Sequence, residues 1–282
     1  MTVSVLRNLT ESQPMVTSST AGGPVPSTHD ATIADQFTRQ ASQFAASPAL
    51  HNEAALDLLV EAAGPRVDDV SLDVACGPGT VVCAFARRVR RAEGLDATEA
   101  MLAEARRLAA AAGVENVAWH RGDVYALPFA AAAFDIVSCR FAFHHLEAPE
   151  EAFAEMVRVC RPGGRIVLCD AVASDDPAKA AAFNAMERHR DPSTVEFRPL
   201  AWHLALFRDA GLPEPQARFY QVPAERDRLA AMSFPAGDDR AGLRAMIEAS
   251  VEGDTMGVNA RRDGETVRFD YPAVVLVAVK RG

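Results

Sequence analysis

Hydrophobic and polar positions change period in blocks along the chain. From about Ile33 to Ala63 the period is helical: Ala54, Leu58, Leu59 and Val60 mark an apolar face, and Gly64-Pro65 stops it. The apolar run Val70–Ala75 reads as a strand, followed by a glycine-pinched turn and a helix through about Arg91. Ala92–Asp96 reads as a second strand. Thr98 to Ala112 is helical, with Met101, Ala105, Leu108 and Ala109 on one face and Gly113 at its end. Val117–Arg121 and Phe134–Arg140 are the next strands. A helix then opens at Pro149 with Glu150 and Glu151 in its first turn and buries Phe153, Met156, Val157 and Cys160. Pro162-Gly163-Gly164 breaks it before a strand over Arg165–Val172.

Beyond that point the alternation loosens. Helical stretches are expected around Ala178–Arg188 and Ala201–Ala210, and a strand near Arg218–Val222. A polar, loop-rich segment runs to about Arg262, and two strands, Thr266–Asp270 and Val274–Val279, flank Tyr271-Pro272. Repeated strand–helix alternation implies an α/β fold with a parallel sheet, because parallel neighbours need crossover connections.

Composition narrows the class. The 282 residues are 49% hydrophobic and 24% charged, enough for a sizeable core, and the formal charge of −9 disfavours a phosphate-backbone partner. The cluster Arg87-Arg88-Val89-Arg90-Arg91 is expected at a helix end, where cations complement the macrodipole. Five cysteines without paired spacing fit small core residues in a reducing, cytoplasmic setting. Residues 1–30 are rich in Ser, Thr, Pro and Gly and read as a disordered tail, leaving 31–282 as one domain. No segment has membrane-spanning length, and no clustered metal-ligand spacing appears.

The turn Asp73-Val74-Ala75-Cys76-Gly77-Pro78-Gly79 is followed about 20 residues later by a strand ending on Asp96. Glycine admits close backbone approach, a helix start offers free N–H groups, and the later acid accepts from ribose hydroxyls, so the spacing points to an adenosine-type cofactor. Val82 stands where a dinucleotide fingerprint needs a third small residue, which disfavours nicotinamide. Taken singly, each feature has a plainer reading. Gly77 and Gly79 suit any tight turn, Asp96 could cap the next helix with Glu99 reaching back, and Asp123 could form a turn. Taken together, these turns fall at the C-terminal ends of successive strands, the edge where open α/β sheets bind ligands.

These segments resemble the class I methyltransferases that use S-adenosylmethionine, in the small-molecule branch that includes ubiquinone-pathway enzymes and natural-product O-methyltransferases. The resemblance is close over 33–172 and loose elsewhere. It implies a Rossmann-like, doubly wound, mostly parallel seven-stranded sheet with an antiparallel last strand and a helical lid, drawn from about 173–215 and 222–262. It also implies S-adenosylmethionine as cofactor. Asp73, Ala75, Cys76, Gly77 and Gly79 would meet its methionine half, and Asp96 with Ala97 its ribose. Met101 would flank the adenine, and Gly122-Asp123-Val124 would bind its amino group. Arg140 would approach the cofactor, with Phe37 and Phe44 on a covering helix. Ala75 replaces a glycine common in relatives, and its small side chain is expected to preserve binding.

Methyl transfer to a hydroxyl needs alignment and a base, and imidazole is suited to that near neutral pH. His144 and His145 follow the fourth strand and Asp170 ends the fifth, so these three are the catalytic candidates. The expected activity is methylation of a hydroxyl on a small aromatic or secondary metabolite. C- or N-methylation of a quinone-like or amine substrate, a nicotinamide-dependent oxidoreductase, and a binding module without turnover are the alternatives. In the lid, Trp202 and His203 fit an amphipathic helix face, and Arg190 fits either an acidic acceptor or a pair with Asp191.

Overall fold

The computed structural model describes residues 28–45 and 52–281. The expectations for the tail up to residue 27 and for the Phe44 side chain lie outside the described residues. The helical pattern expected over 33–63 forms two helices, α1 (Thr28–Ala45) and α2 (Glu53–Ala63). The second starts on an Asn52 cap, whose side chain accepts from Ala55 N–H at 3.2 Å, and ends on left-handed Gly64.

The α/β core follows: β1 (Val70–Val74), α3 (Thr80–Ala86), β2 (Arg91–Asp96), α4 (Glu99–Ala112), β3 (Val117–Arg121), β4 (Phe134–Arg140), α5 (Pro149–Val159) and β5 (Cys160–Ala171). Two boundaries differ from expectation. Helix α3 stops at Ala86, because the Asn116 amide takes the carbonyls of Ala86 and Val89 at 2.9 and 3.0 Å. The arginine cluster is therefore a turn, and Arg91 opens β2, where it pairs with Glu93 at 2.8 Å. The Pro162-Gly163-Gly164 turn is absorbed into β5, where the pairing with β4 shifts register between Phe134 and Ile136.

The remaining elements are α6 (Pro177–Arg190), α7 (Leu200–Asp209), β6 (Gln216–Glu225), α8 (Arg226–Met232), α9 (Arg240–Ala249), β7 (Arg261–Asp263) and β8 (Thr266–Val279). The segment expected as loop holds α8 and α9. Their caps explain this: Glu225 accepts from Asp227 and Arg228 N–H, and Asp239 from Gly242 N–H at 2.8 Å. Strand β8 is one continuous strand across Tyr271-Pro272. Proline is tolerated there because pairing with β5 begins only at Ala273.

The sheet runs β3-β2-β1-β4-β5-β8-β6, with β7 as a hairpin mate of β8, giving eight strands among the described residues where seven were expected. Pairing is parallel from β3 to β5, and β8 is antiparallel to both β5 and β6. Successive residues serve opposite faces. Val137, Leu168 and Leu276 pack with Phe153 of α5 and Phe207 of α7, whereas Ile136, Val167 and Val275 pack with Leu59 of α2 and Phe85 of α3. A third cluster joins Phe183 of α6, Leu243 and Ile247 of α9 and Phe269 of β8, a separate core among the C-terminal elements. No helix among the described residues is long and apolar enough to cross a membrane.

Candidate functional site

A cavity of about 860 Å³ opens at the C-terminal edge of the parallel strands, roofed by Ile33, Ala34 and Phe37 of α1. The turn from β1 to α3 forms one wall through Ala75, Cys76, Gly77 and Pro78. Gly77 (φ 51°) and the non-glycine Ala75 (φ 54°) both take left-handed backbone there. Alanine in that conformation costs on the order of 1–2 kcal/mol, which the surrounding bonds must hold. Two of those bonds run to β2: Cys76 N–H donates to Leu95 O at 2.9 Å and Gly77 N–H to Asp96 Oδ2 at 2.9 Å.

Gly79 does not line the cavity. A Cβ at this residue would lie 2.6 Å from the Trp119 ring and 2.9 Å from Ala105, and its φ is +81°. Its contribution is the close approach of α3 to β3 and α4.

Two buried carboxylates face the cavity. Asp73 sits beside Ser138 in the β1–β4 register and accepts its hydroxyl at 2.7 Å. Burial pushes its carboxyl up to about 7, while the Ser138 bond and the charge of Arg140 pull the other way. Asp96 is raised by burial too, opposed by hydrogen bonds from Thr98 and Gly77. Beyond it, Ala97 and Met101 continue the wall. Gly122, Asp123 and Val124 close the far end, where Asp123 Oδ1 accepts from Tyr125 N–H at 2.9 Å.

Arg140 ends β4 at the cavity, its guanidinium 4.8 Å from the centre of the Phe141 ring. The histidine pair divides. His145 lines the cavity, with the Phe37 ring edge-on at 5.0 Å. Its Nδ1 lies 3.1 Å from both the carbonyl and the hydroxyl oxygen of Ser193. Burial, reinforced by His144, pushes the ring down to about 3, against the pull of Asp191, so it is neutral at pH 7.

His144 and Asp170 sit behind the wall. Nδ1 of His144 donates to Asp170 Oδ1 at 2.8 Å, and its ring stacks on Phe197 at 4.0 Å. Burial alone would raise Asp170; the charge and hydrogen bond of His144 outweigh it and hold the carboxyl below its usual range. The expected carboxylate–imidazole pair therefore exists, but on the histidine that does not face the cavity.

In α6, Arg190 pairs with Glu187 at 2.8 Å, and in α7 Trp202 packs on the sheet-face core as an amphipathic helix residue. Sequence reasoning missed Ser193, whose two oxygens lie nearest Nδ1 of His145, and Asp191, which bonds Ser193. Their short Asp-Pro-Ser spacing signals a turn, but nothing in the chain signals its contact with residues 48 positions earlier.

The donor set suits an adenosylmethionine. Each Asp96 oxygen accepts one backbone N–H, leaving acceptor capacity for ribose hydroxyls, and Asp73 is a buried carboxylate whose charge calls for a cation such as the methionine ammonium. Residues 72–168 match the sequence profile of a family described as a methyltransferase domain. Across 228 residues, 80% of this chain and 90% of the relative, the sequence is 31% identical to YcgJ of Bacillus subtilis, an uncharacterized methyltransferase.

The chain belongs to the class I S-adenosylmethionine-dependent methyltransferases.

The crystal structure of YcgJ from B. subtilis is similar to this methyltransferase with a TM-score of 0.74 and 29% identity, covering 82% of this chain and 99% of that one. The ubiquinone/menaquinone biosynthesis C-methyltransferase UbiE of Roseobacter denitrificans is 38% identical over 138 residues, 48% of this chain and 54% of UbiE. The chain thus spans about half the length of that relative. The methyltransferase is an enzyme, and its cofactor is S-adenosylmethionine.

Proposed function

We propose that this methyltransferase transfers the methyl group to an acidic hydroxyl, such as a phenol, on a small aromatic or secondary metabolite, with His145 as base. The observation that carries the reading is that His145 lines the same cavity as Asp73 and Asp96. Phe37, edge-on to the imidazole, and Phe141 and Leu146 in the same lining give the cavity apolar surface suited to a flat ring.

In this reading Asp73 receives the methionine ammonium, Asp96 beside Ala97 the ribose hydroxyls, and Asp123 the adenine amino group. Met101 and Val124 flank the base, backbone from Ala75 to Gly77 and at Gly122 allows close approach, Arg140 borders the methionine half, and Phe37 covers it. His144 and Asp170 brace the turn that carries His145. The segments 173–215 and 222–262 cover the catalytic unit, which begins near α1. The cofactor, when bound, supplies an activated methyl on a sulfonium with its own leaving group. The chain's own residues align the acceptor, exclude water and take the hydroxyl proton. Burial lowers the basicity of the ring, so it suits an acceptor whose hydroxyl is already acidic, roughly pKa 10 as for a phenol, rather than an aliphatic alcohol.

The similarity to UbiE favours a second reading, C-methylation of a quinol-like ring, in which loss of the same proton activates a ring carbon. The charge of −9 argues against nucleic acid as acceptor, and the buried free thiols fit a reducing, cytoplasmic setting. The test is incubation with cofactor carrying a 13C-methyl and a panel of phenols, hydroquinones and amines, with NMR of the products. A methyl carbon bonded to oxygen supports the hydroxyl reading. Label on ring carbon alone selects the second, and label on nitrogen alone rejects both.

A further inference from the structure

The stretch after α6 carries two polar side chains that the reaction as described leaves without a role. Asp191 and Ser193 are both 0% exposed. Ser193 donates twice to Asp191 Oδ1, from its hydroxyl at 2.6 Å and its N–H at 3.0 Å. On the other side of Ser193, its carbonyl oxygen and its Oγ each lie 3.1 Å from His145 Nδ1. A carbonyl only accepts, and the single hydroxyl hydrogen of Ser193 is engaged by the carboxylate. Both atoms facing Nδ1 are thus acceptors, so the ring proton sits on Nδ1 and Nε2 carries the lone pair.

We infer that Asp191 and Ser193 are positioning residues that lock His145 in its Nδ1–H tautomer and so present Nε2 as the proton acceptor of the cavity. This rests on the reading of His145 as base. The strap that carries them is itself held: Val195 and Glu196 N–H donate to His144 O at 2.9 and 3.0 Å, and Gln40 of α1 reaches Asp191 Oδ2 at 3.3 Å. The charged and titratable groups around the ring are His144 on the same turn, Arg190 and Asp191 at the end of α6, and His29 of α1, whose Nε2 lies 2.8 Å from His145 O. Arg190 is engaged by Glu187, and Asp191 is the carboxylate joined to the imidazole through Ser193. When Nε2 takes the acceptor's proton, the resulting imidazolium keeps its Nδ1–H bond to Ser193, and the Asp191 charge offsets the new positive charge. Burial would raise Asp191, but the charge of Arg190 and its Ser193 bonds hold its carboxyl below the usual carboxylate range, so it is ionised for this task.

The test is long-range 1H–15N NMR on full-length protein with ring-15N histidine at neutral pH, the His145 signals being assigned by their loss in His145→Gln. The expected wild-type ring has a protonated Nδ1 and an unprotonated Nε2. Asp191→Ala frees the Ser193 hydroxyl to donate to Nδ1, so a second, Nε2–H tautomer appears. Asp191→Asn keeps an acceptor for Ser193 and so keeps the tautomer, but loses the charge. Its kcat on a phenolic acceptor falls about tenfold or more, a part of the ~10²–10⁴ a positioned base supplies, with KM and S-adenosylhomocysteine affinity within about twofold. A wild-type ring protonated on Nε2, an Asp191→Ala ring unchanged from wild type, or an unimpaired kcat in Asp191→Asn overturns the inference. Failure of the underlying base reading is a separate result: full turnover by His145→Gln.

Discussion

Asp96 accepts a hydrogen bond from Gly77 N–H at 2.9 Å, so the carboxylate that ends β2 also shapes the glycine turn that ends β1. Its other oxygen takes Thr98 N–H at 2.8 Å. Replacing Asp96 with Ala orphans two backbone donors as well as the proposed ribose contact. The expected loss is about 1–3 kcal/mol of stability in thermal or urea unfolding. Calorimetric affinity for S-adenosylhomocysteine should fall by tenfold to a hundredfold, about 1.4–2.8 kcal/mol. Unchanged affinity in a folded Asp96→Ala protein would remove the residue from the cofactor site.

The parallel core was legible because β4 and β5 carry apolar runs and the helices α4 and α5 end at Gly113 and just before Pro162. Val117–Arg121 and Phe134–Arg140 match observed strands residue for residue. One failure depended on a partner distant in sequence, and another on local caps that the polar composition hid. The end of α3 is set by Asn116, and α8 and α9 rest on caps at Glu225 and Asp239 within a stretch too polar to announce helices. In the site, the motif residues on strand ends were readable because topology alone brings those ends together. Gly79 had the right spacing but a packing role, and the partner of His145 could not be read, since it lies on a turn 48 residues away.

Gly79→Ala tests that packing role. Its Cβ would fall 2.6 Å from the Trp119 ring while the backbone stays at φ +81°. Left-handed backbone alone costs on the order of 1–2 kcal/mol for alanine, and displacing the indole adds overpacking of about 1–3 kcal/mol. Urea unfolding should show a loss of at least about 2 kcal/mol. Near-UV circular dichroism should report altered Trp119 packing. A substitution at Gly79 that leaves stability intact would contradict the close approach of helix and strand.

The strand edge opposite the cavity rests on a buried ion pair. Arg165 of β5 pairs with Asp69, and its remaining donors reach the carbonyls of Ala63 and Gly64 at 3.1 and 3.3 Å. Asp69→Ala leaves a buried guanidinium uncompensated, at an expected cost of about 3–5 kcal/mol. The double substitution Asp69→Leu with Arg165→Met removes both charges and should be less destabilised than Asp69→Ala alone. The reverse order in denaturant unfolding would mean that the pair stabilises beyond its desolvation cost.

Cofactor affinity should depend on pH through Asp73. Its carboxyl is raised by burial from 3.8 to about 7, so the folded protein free of cofactor holds a proton that the unfolded chain releases. For a carboxyl raised in this way, the stability contribution is complete below the unfolded pKa of 3.8 and is lost as pH rises through about 7. A cationic ammonium beside Asp73 favours the ionised form, so binding below pH 7 expels the proton. Affinity for S-adenosylhomocysteine should therefore climb as pH rises from about 5.5 to 7.5 and level off above. Calorimetry in buffers of different ionisation enthalpy should detect the released proton below pH 7. In Asp73→Asn the proton release should vanish and the pH dependence flatten. Persistence of both in that variant would assign the titration to another group and take Asp73 out of ammonium recognition.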